Sequence, residues 1–265
     1  LIYKDGIRPP NGNIHSLFGT AMHQTLQEML NQYYNVSKRA FYDFDYADFL
    51  FESMKAEYEK SKSEGLVFTD KIEFAEFYND GLIGISYFVK HVDEYFKHRG
   101  FKLVGVETKL SYPLRPNLSF TGYIDVIIYD VQNESYRIID LKKSYRGWGD
   151  NDKLNKRAQL QLYKHFYSLQ FNVPAKNIDV EFIIFKQKLF VPKDPMYRPK
   201  NIQRFEPPTG PVTLKKVVGE FNAFIEEAYD VEGFHREAEY KASPSKKACN
   251  FCPFKTKKDL CKHGR

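Results

Sequence analysis

The chain has little sulfur and few breaks in the pattern of an ordinary folded protein. Among its 265 residues three are cysteine, four methionine and one tryptophan. The cysteines, Cys249, Cys252 and Cys261, all lie beyond residue 248, which argues against a disulfide framework and for a reducing, intracellular setting. No apolar run approaches the ~20 residues of a membrane helix, so no membrane partner is expected. The opening residues, Leu1 to Gly6, do not form a secretory signal. They also lack a methionine, and the true N-terminus is expected to precede Leu1. Neither sign of charge dominates: 40 Lys plus Arg against 34 Asp plus Glu leave +6, which permits a polyanionic partner without requiring one. No internal repeat is visible, and nothing assigns a protein partner. What is abundant is aromatic: 19 Tyr and 23 Phe within a hydrophobic fraction of 42%, enough for a sizeable core.

Apolar residues at helical spacing (Leu17, Met22, Leu26, Met29, Leu30, Tyr33) predict a helix over 16–34. A second is expected over 46–62. A third begins at Asp70, where Asp70 and Glu73 resemble a capping box, and ends by Gly100. Gly81 and Gly84 weaken its middle, so this stretch reads as one helix or two. The pattern then changes to Val, Ile and aromatics over 102–110, 119–129 and 136–142, with a hairpin turn at 130–134, which predicts an antiparallel meander. A helix over 152–169, a strand over 179–185 and, after Pro207-Pro208-Thr209-Gly210-Pro211, an amphipathic helix over 213–229 complete an α/β order. The expected organisation is one domain, 1–265, with a helical insertion at 36–100 and a basic, cysteine-bearing tail at 240–265.

Asp140 and Lys142 are two apart on a strand and leave the same face. An acid after Ile138 and Ile139 is costly to desolvate unless a cation receives it, and Asp125, ahead of Val126-Ile127-Ile128, raises the same question. If the meander closes, Asp125 and Asp140 approach one metal ion, with the Leu141 carbonyl as a further oxygen ligand. Such ligation suits Mg²⁺ or Mn²⁺, and Lys142 beside it would stabilise charge developing on a phosphate. The alternative is a strand-edge salt bridge between Asp140 and Lys142 or Lys143. Arg146 in the following loop could hold a phosphate. Trp148 could stack on an unpaired base or anchor packing. Lys153, Lys156 and Arg157 sit in the first turns of a helix, where the macrodipole disfavours cations. They read either as a phosphate contact or as a solvated face.

Taken together, Gly122-Tyr123-Ile124-Asp125, Asp140-Leu141-Lys142, Gln159 with Tyr163 one helical turn later, and Gly19-Thr20-Ala21-Met22-His23 resemble the RecB-type branch of the PD-(D/E)xK nucleases. That resemblance spans most of the chain, from Gly19 to Cys261. It implies a restriction-endonuclease-like core of helix, three-stranded antiparallel meander, helix and strand. It further implies that Asp125, Asp140 and Lys142 are catalytic, that Gln159 and Tyr163 line the site, and that His23 is a metal ligand, shifting preference toward Mn²⁺. Glu107 matches an acid the family often carries, as a metal ligand or an outward strand residue. The spacing C-x₂-C-x₈-C looks like the C-terminal trio of the iron–sulfur, exonuclease-like members, with a longer third gap. By that resemblance Cys249, Cys252 and Cys261 would hold a [4Fe–4S] cluster whose fourth ligand precedes Leu1. Zinc bound with His263, or unligated thiols, remain open. The implied activity is a metal-dependent deoxyribonuclease, an exonuclease on single-stranded DNA ends in replication, recombination or repair. A catalytically weak nucleic-acid-binding accessory module and an RNase are the alternatives.

Overall fold

A computed structural model describes residues 13–66, 69–189, 196, 199–237, 244–250, 252, 254–255, 257 and 261. Its centre is a five-stranded sheet in chain order: β1 (Phe101–Arg115), β2 (Leu118–Asp130), β3 (Ser135–Ser144), β4 (Ile178–Lys186) and β5 (Ile202–Phe205). The first three strands form the antiparallel meander, β4 runs parallel to β3, and β5 returns antiparallel on β4. The β3–β4 pair is buried on both sides, which is why its residues read as continuous apolar runs. Ile139, Leu141, Ile183 and Phe185 face one core, whereas Ile138, Phe182 and Ile184 face another.

The first core lies under α1 (Ile14–Asn31), α3 (Tyr46–Ser63) and α4 (Lys71–Tyr95), with the short α2 (Lys38–Asp43) at its edge. Asn13 caps α1 by accepting from the Ser16 N–H at 2.8 Å, and Asp70 caps α4 through the Ile72 and Glu73 N–H groups. A single π-helical segment, Gln32–Val36, ends α1. Helix α4 runs unbroken through Gly81 and Gly84 and departs from helical angles only at His91. Gly81 is there for contact: a Cβ on it would lie 2.8 Å from Leu50 and 2.9 Å from Phe18, so its absence lets α1 and α3 press on α4. The second core lies under α5 (Asp150–Phe171), which Asn172 ends in the left-handed region, and α6 (Pro211–Ala228), which begins with proline. A five-residue helix, α7 (Lys246–Asn250), carries Cys249. Among the described residues no helix is long and apolar enough to cross a membrane.

One departure from regular pairing positions everything that follows. The β2–β3 ladder stops at Val126↔Ile139, while β1–β2 pairing continues to Arg115↔Leu118 and β3–β4 pairing to Ser144↔Lys186. The β1–β2 hairpin therefore peels away from β3 and leaves a fork whose apex is Asp125. The side-chain phase of β2 inverts at this point: Ile124 joins the α5-side core, and Val126, of the same parity, joins the α1-side core.

Candidate active site

The fork leaves the Leu141 N–H without a strand partner on β2, and the Asp125 side chain takes that place, with Oδ2 accepting from Leu141 N at 2.7 Å. The Leu141 carbonyl faces the His23 ring. Helix α1 crosses the apex and brings His23 Nδ1 to 3.6 Å from Asp125 Oδ2. One turn later on the same helical face, the buried Gln27 donates from Nε2 to Glu107 Oε1 at 2.8 Å and to the Asp125 carbonyl at 3.3 Å.

Opposite Asp125, Glu107 has φ 45° and no pair of its own, although Val106↔Val126 and Thr108↔Ile124 keep one register on either side. A non-glycine residue in this region costs about 1–3 kcal/mol and persists where surrounding structure over-determines it. Here the distortion turns the carboxylate toward α1. As a result His23, Glu107 and Asp125 each present a ligand atom within 4.8 Å of the others, a potential metal-chelating group.

Asp140 stands outside that trio and is held from the α5 side. Only 1% of it is exposed. Oδ1 accepts from Gln159 Nε2 at 2.9 Å, and Oδ2 is paired with the Lys142 ammonium at 2.5 Å. Gln159 Nε2 also lies 3.3 Å from the Tyr163 hydroxyl. The Tyr163 ring rests on Gly122, where a Cβ would come within 2.8 Å of it. Thus the glycine of Gly-x-x-Asp and the tyrosine of Gln-x-x-x-Tyr make one contact.

Burial raises the Asp125 carboxyl above its usual range against the pull of Lys142 and the Leu141 N–H. Burial likewise raises Asp140; Lys142 opposes the rise and Asp125 adds repulsion. His23 is pushed down, first by burial and then by Lys142, so its imidazole is neutral and available as a ligand at neutral pH. Two carboxyls raised by burial, sharing one lysine as counter-charge beside a neutral imidazole, fit a bound cation. The mixed O and N donors suit Mn²⁺ or Mg²⁺.

The sequence-predicted residues are therefore drawn into two linked groups rather than one. Asp125 meets His23 and Glu107, whereas Asp140 meets Lys142, Gln159 and, through Gln159, Tyr163. Gln27 was missed, and its signal was the four-residue step from His23. Of the proposed nucleic-acid contacts, Arg146 is exposed, with its guanidinium 5.5 Å from the Tyr145 ring. Lys153 pairs with Asp150 at 3.3 Å, and Arg157 is half-buried on α5. Trp148 corrects the stacking expectation. It is buried against Phe182, with ring centroids 4.8 Å apart and the Lys156 ammonium 5.2 Å from its ring, so it anchors packing.

Cys249, Cys252 and Cys261 are free thiols, half-buried, and among the described residues they belong to no group of three close ligand atoms. His263 lies outside the described residues. The PD-(D/E)XK nuclease superfamily matches residues 1–257. Comparison with curated proteins returns no match. A family match over nearly the full length, on a meander, crossover helix and parallel strand that carry Asp125, Asp140 and Lys142 to one fork, establishes that this chain belongs to the PD-(D/E)XK nuclease superfamily.

Proposed function

We propose that the chain is a metal-dependent deoxyribonuclease that hydrolyses DNA phosphodiesters, acting as an exonuclease on single-stranded ends. The observation that carries this reading is the under-neutralised fork: two buried carboxyls, Asp125 and Asp140, have Lys142 as their shared counter-charge, next to the trio of His23, Glu107 and Asp125. His23, Glu107 and Asp125, together with the Leu141 carbonyl and Asp140, would hold one or two divalent ions. Such an ion, when bound, supplies water activation and neutralises phosphate charge. Lys142 places an ammonium at the same edge to stabilise charge developing on the phosphate. Gln159 fixes Asp140 through Oδ1 and leaves Oδ2 on the side of Lys142, while Tyr163 holds Gln159 in place. Gln27 sets the Glu107 carboxylate.

A cavity of about 530 Å³ lined by Arg146, Lys186 and Lys200 lies at the neighbouring ends of β3 and β4 and supports a polyanionic substrate. The preference for single-stranded ends rests on the Gly-x-x-x-His and Gln-x-x-x-Tyr resemblance. The test is a time course on end-labelled single-stranded DNA, duplex DNA and matched RNA with Mn²⁺, Mg²⁺ or EDTA. Stepwise loss of single-stranded DNA from its ends, only with the ion, is expected. Equal cleavage by wild type and Asp140→Ala would reject the assignment, and preferential loss of RNA would replace the substrate. A [4Fe–4S] cluster on Cys249, Cys252 and Cys261 rests on their spacing alone, since the described residues supply three thiols and no fourth ligand. Iron and acid-labile sulfide in anaerobically purified protein would support it, and their absence would discard it.

A further inference from the structure

Lys143 follows Lys142 on β3 and therefore leaves the opposite face, toward α1 and α4. Its ammonium lies 4.4 Å from the Phe18 ring centroid, 4.5 Å from that of Phe77, and 3.4 Å from His15 Nδ1. The rings are themselves fixed: Phe18 and His15 both meet Phe77 edge-on, with centroids 5.4 and 5.1 Å apart. Aromatic faces orient a cation without neutralising it. Among the described residues no carboxylate lies within ion-pairing distance of Lys143. Asp80, the acid that pulls on it from farther off, is already engaged by Gln187 Nε2 at 2.7 Å and Lys188 Nζ at 2.8 Å.

Lys143 opens into a cavity of about 280 Å³ whose wall includes His15, Gly19, His23, Tyr145 and Gln187. His23 belongs to both this cavity and the metal-chelating trio, so the cavity adjoins the fork. A second feature also calls for a ligand: Gln187 Oε1 is buried and accepts from nothing.

We propose that Lys143 and His15 form a phosphate-binding subsite that grips the nucleic-acid strand at a linkage next to the scissile one, with Gln187 Oε1 accepting from the adjoining nucleotide. This deepens the nuclease reading and rests on it. Consecutive lysines on a strand place ammonium groups on both sides of the β3 edge. Lys142 serves the reacting phosphate on the α5 side, and Lys143 holds its neighbour on the α1 side. A cation held only for its aromatic contacts would matter to stability and not to nucleic-acid binding; a phosphate contact makes that binding depend on the charge.

Lys143→Met keeps the stem against Phe18 and Phe77 and removes the cation. Equilibrium binding of a single-stranded oligonucleotide to the full chain in EDTA, measured against salt, should show the slope of log K on log salt shallower by about 0.7, the share of one single-strand phosphate. With Mn²⁺, KM should rise about tenfold and kcat change by no more than about twofold. Lys143→Arg should restore both. Oligonucleotides with one uncharged methylphosphonate linkage, moved along the strand, should weaken binding to wild type at one position and leave the Lys143→Met protein unaffected there. His15→Ala removes a hydrogen-bonding group and no charge, and should weaken binding while leaving the slope in place.

An unchanged salt slope in Lys143→Met, or identical methylphosphonate profiles for the two proteins, would overturn the proposal. The two readings separate cleanly. Wild type that binds with a Lys143-dependent slope but cuts nothing loses the nuclease assignment and keeps the subsite. Wild type that cuts with an unchanged slope in Lys143→Met keeps the nuclease and loses the subsite.

Discussion

Two buried carboxylate clusters lie on opposite faces of the β3–β4 pair, and they are neutralised in opposite ways. Glu181, 2% exposed, receives Arg137 from β3 on Oε1 and Arg204 from β5 on Oε2, the latter at 2.6 Å. Arg137 is further tied to the Tyr95 carbonyl. Every oxygen has a guanidinium, and two cations serve one acid. One step along the same register, where Asp140 pairs with Phe182 rather than Ile139 with Glu181, the balance reverses. Asp140 and Asp125 share Lys142, the exposed Glu107 adds a third acid beside Asp125, and His23 is held neutral. Burial alone does not mark a site, since Glu181 is nearly as buried as Asp140. The mark is a surplus of acid that the protein itself leaves uncompensated. A closed cluster has no use for an ion, whereas the open one is stable only by protonation or by taking a cation.

Asp140→Asn should break this contrast most sharply. Cleavage should fall on the order of a thousandfold or more, while the metal-free protein melts higher, because the substitution removes repulsion from a buried acid. Retained cleavage together with a lower melting temperature would make Asp140 as structural as Glu181. Glu181→Gln should do the reverse: it strands two arginines and costs about 3 kcal/mol in denaturant unfolding. Turnover per folded molecule stays as in wild type. If turnover collapsed with stability intact, the division between the clusters would be wrong.

The contrast was half legible in the sequence. Asp140 and Lys142 announced themselves because both lie on one strand within an apolar run, whereas His23, Gln159 and Tyr163 were named only through the Gly-x-x-x-His and Gln-x-x-x-Tyr resemblance. The meander was legible because its strands are long and rich in β-branched residues. Glu107 stayed undecided because its direction depends on one backbone angle, φ 45°, that no neighbour in the chain dictates. Trp148 read equally well as a stacking platform or a core residue, since its partner Phe182 lies on another strand. Strand β5 was missed because four residues, Ile202–Phe205, are too few to show alternation and owe their conformation to β4. Gly81 and Gly84 looked like helix breakers, yet Gly81 answers to Leu50 and Phe18 across helices.

Acidity tests the open cluster without mutation. Asp125 and Asp140 are both raised, from 3.8 to about 6, so between those values the folded protein binds more protons than the unfolded chain. Stability then falls as pH rises through that window. The favourable contribution is full below pH ~4 and lost above ~6. Metal-free protein should therefore melt several degrees higher at pH 5 than at pH 7 by this contribution. Asp140→Asn should flatten the profile, whereas Glu181→Gln should leave its slope in place. Saturating Mn²⁺ should raise the melting temperature chiefly at pH 7, where the carboxylates are free to bind it. A pH profile unaffected by Asp140→Asn would remove the electrostatic basis of the comparison.

The smallest expected effect concerns how Asp140 is held from the α5 side. Its Oδ1 is engaged by Gln159, Gln159 touches Tyr163, and Tyr163 lies where only a glycine leaves room. In Gly122→Ala the new methyl would meet Tyr163 Cε1 at 2.8 Å and its hydroxyl at 3.2 Å, so the ring must move and Gln159 loses its brace. Overpacking of this kind costs about 1–3 kcal/mol, and activity should fall about tenfold through a misplaced Asp140. Tyr163→Phe removes the hydroxyl but keeps the ring, and should cost about twofold to threefold, in line with the modest net worth of one neutral hydrogen bond. Because both changes act through Gln159, the double variant should be no worse than Gly122→Ala alone. Multiplicative losses in kcat/KM would mean that the glycine and the tyrosine serve Asp140 by separate routes. The spacing of the two motifs would then reflect strand packing and not a brace that holds Asp140 in the fork.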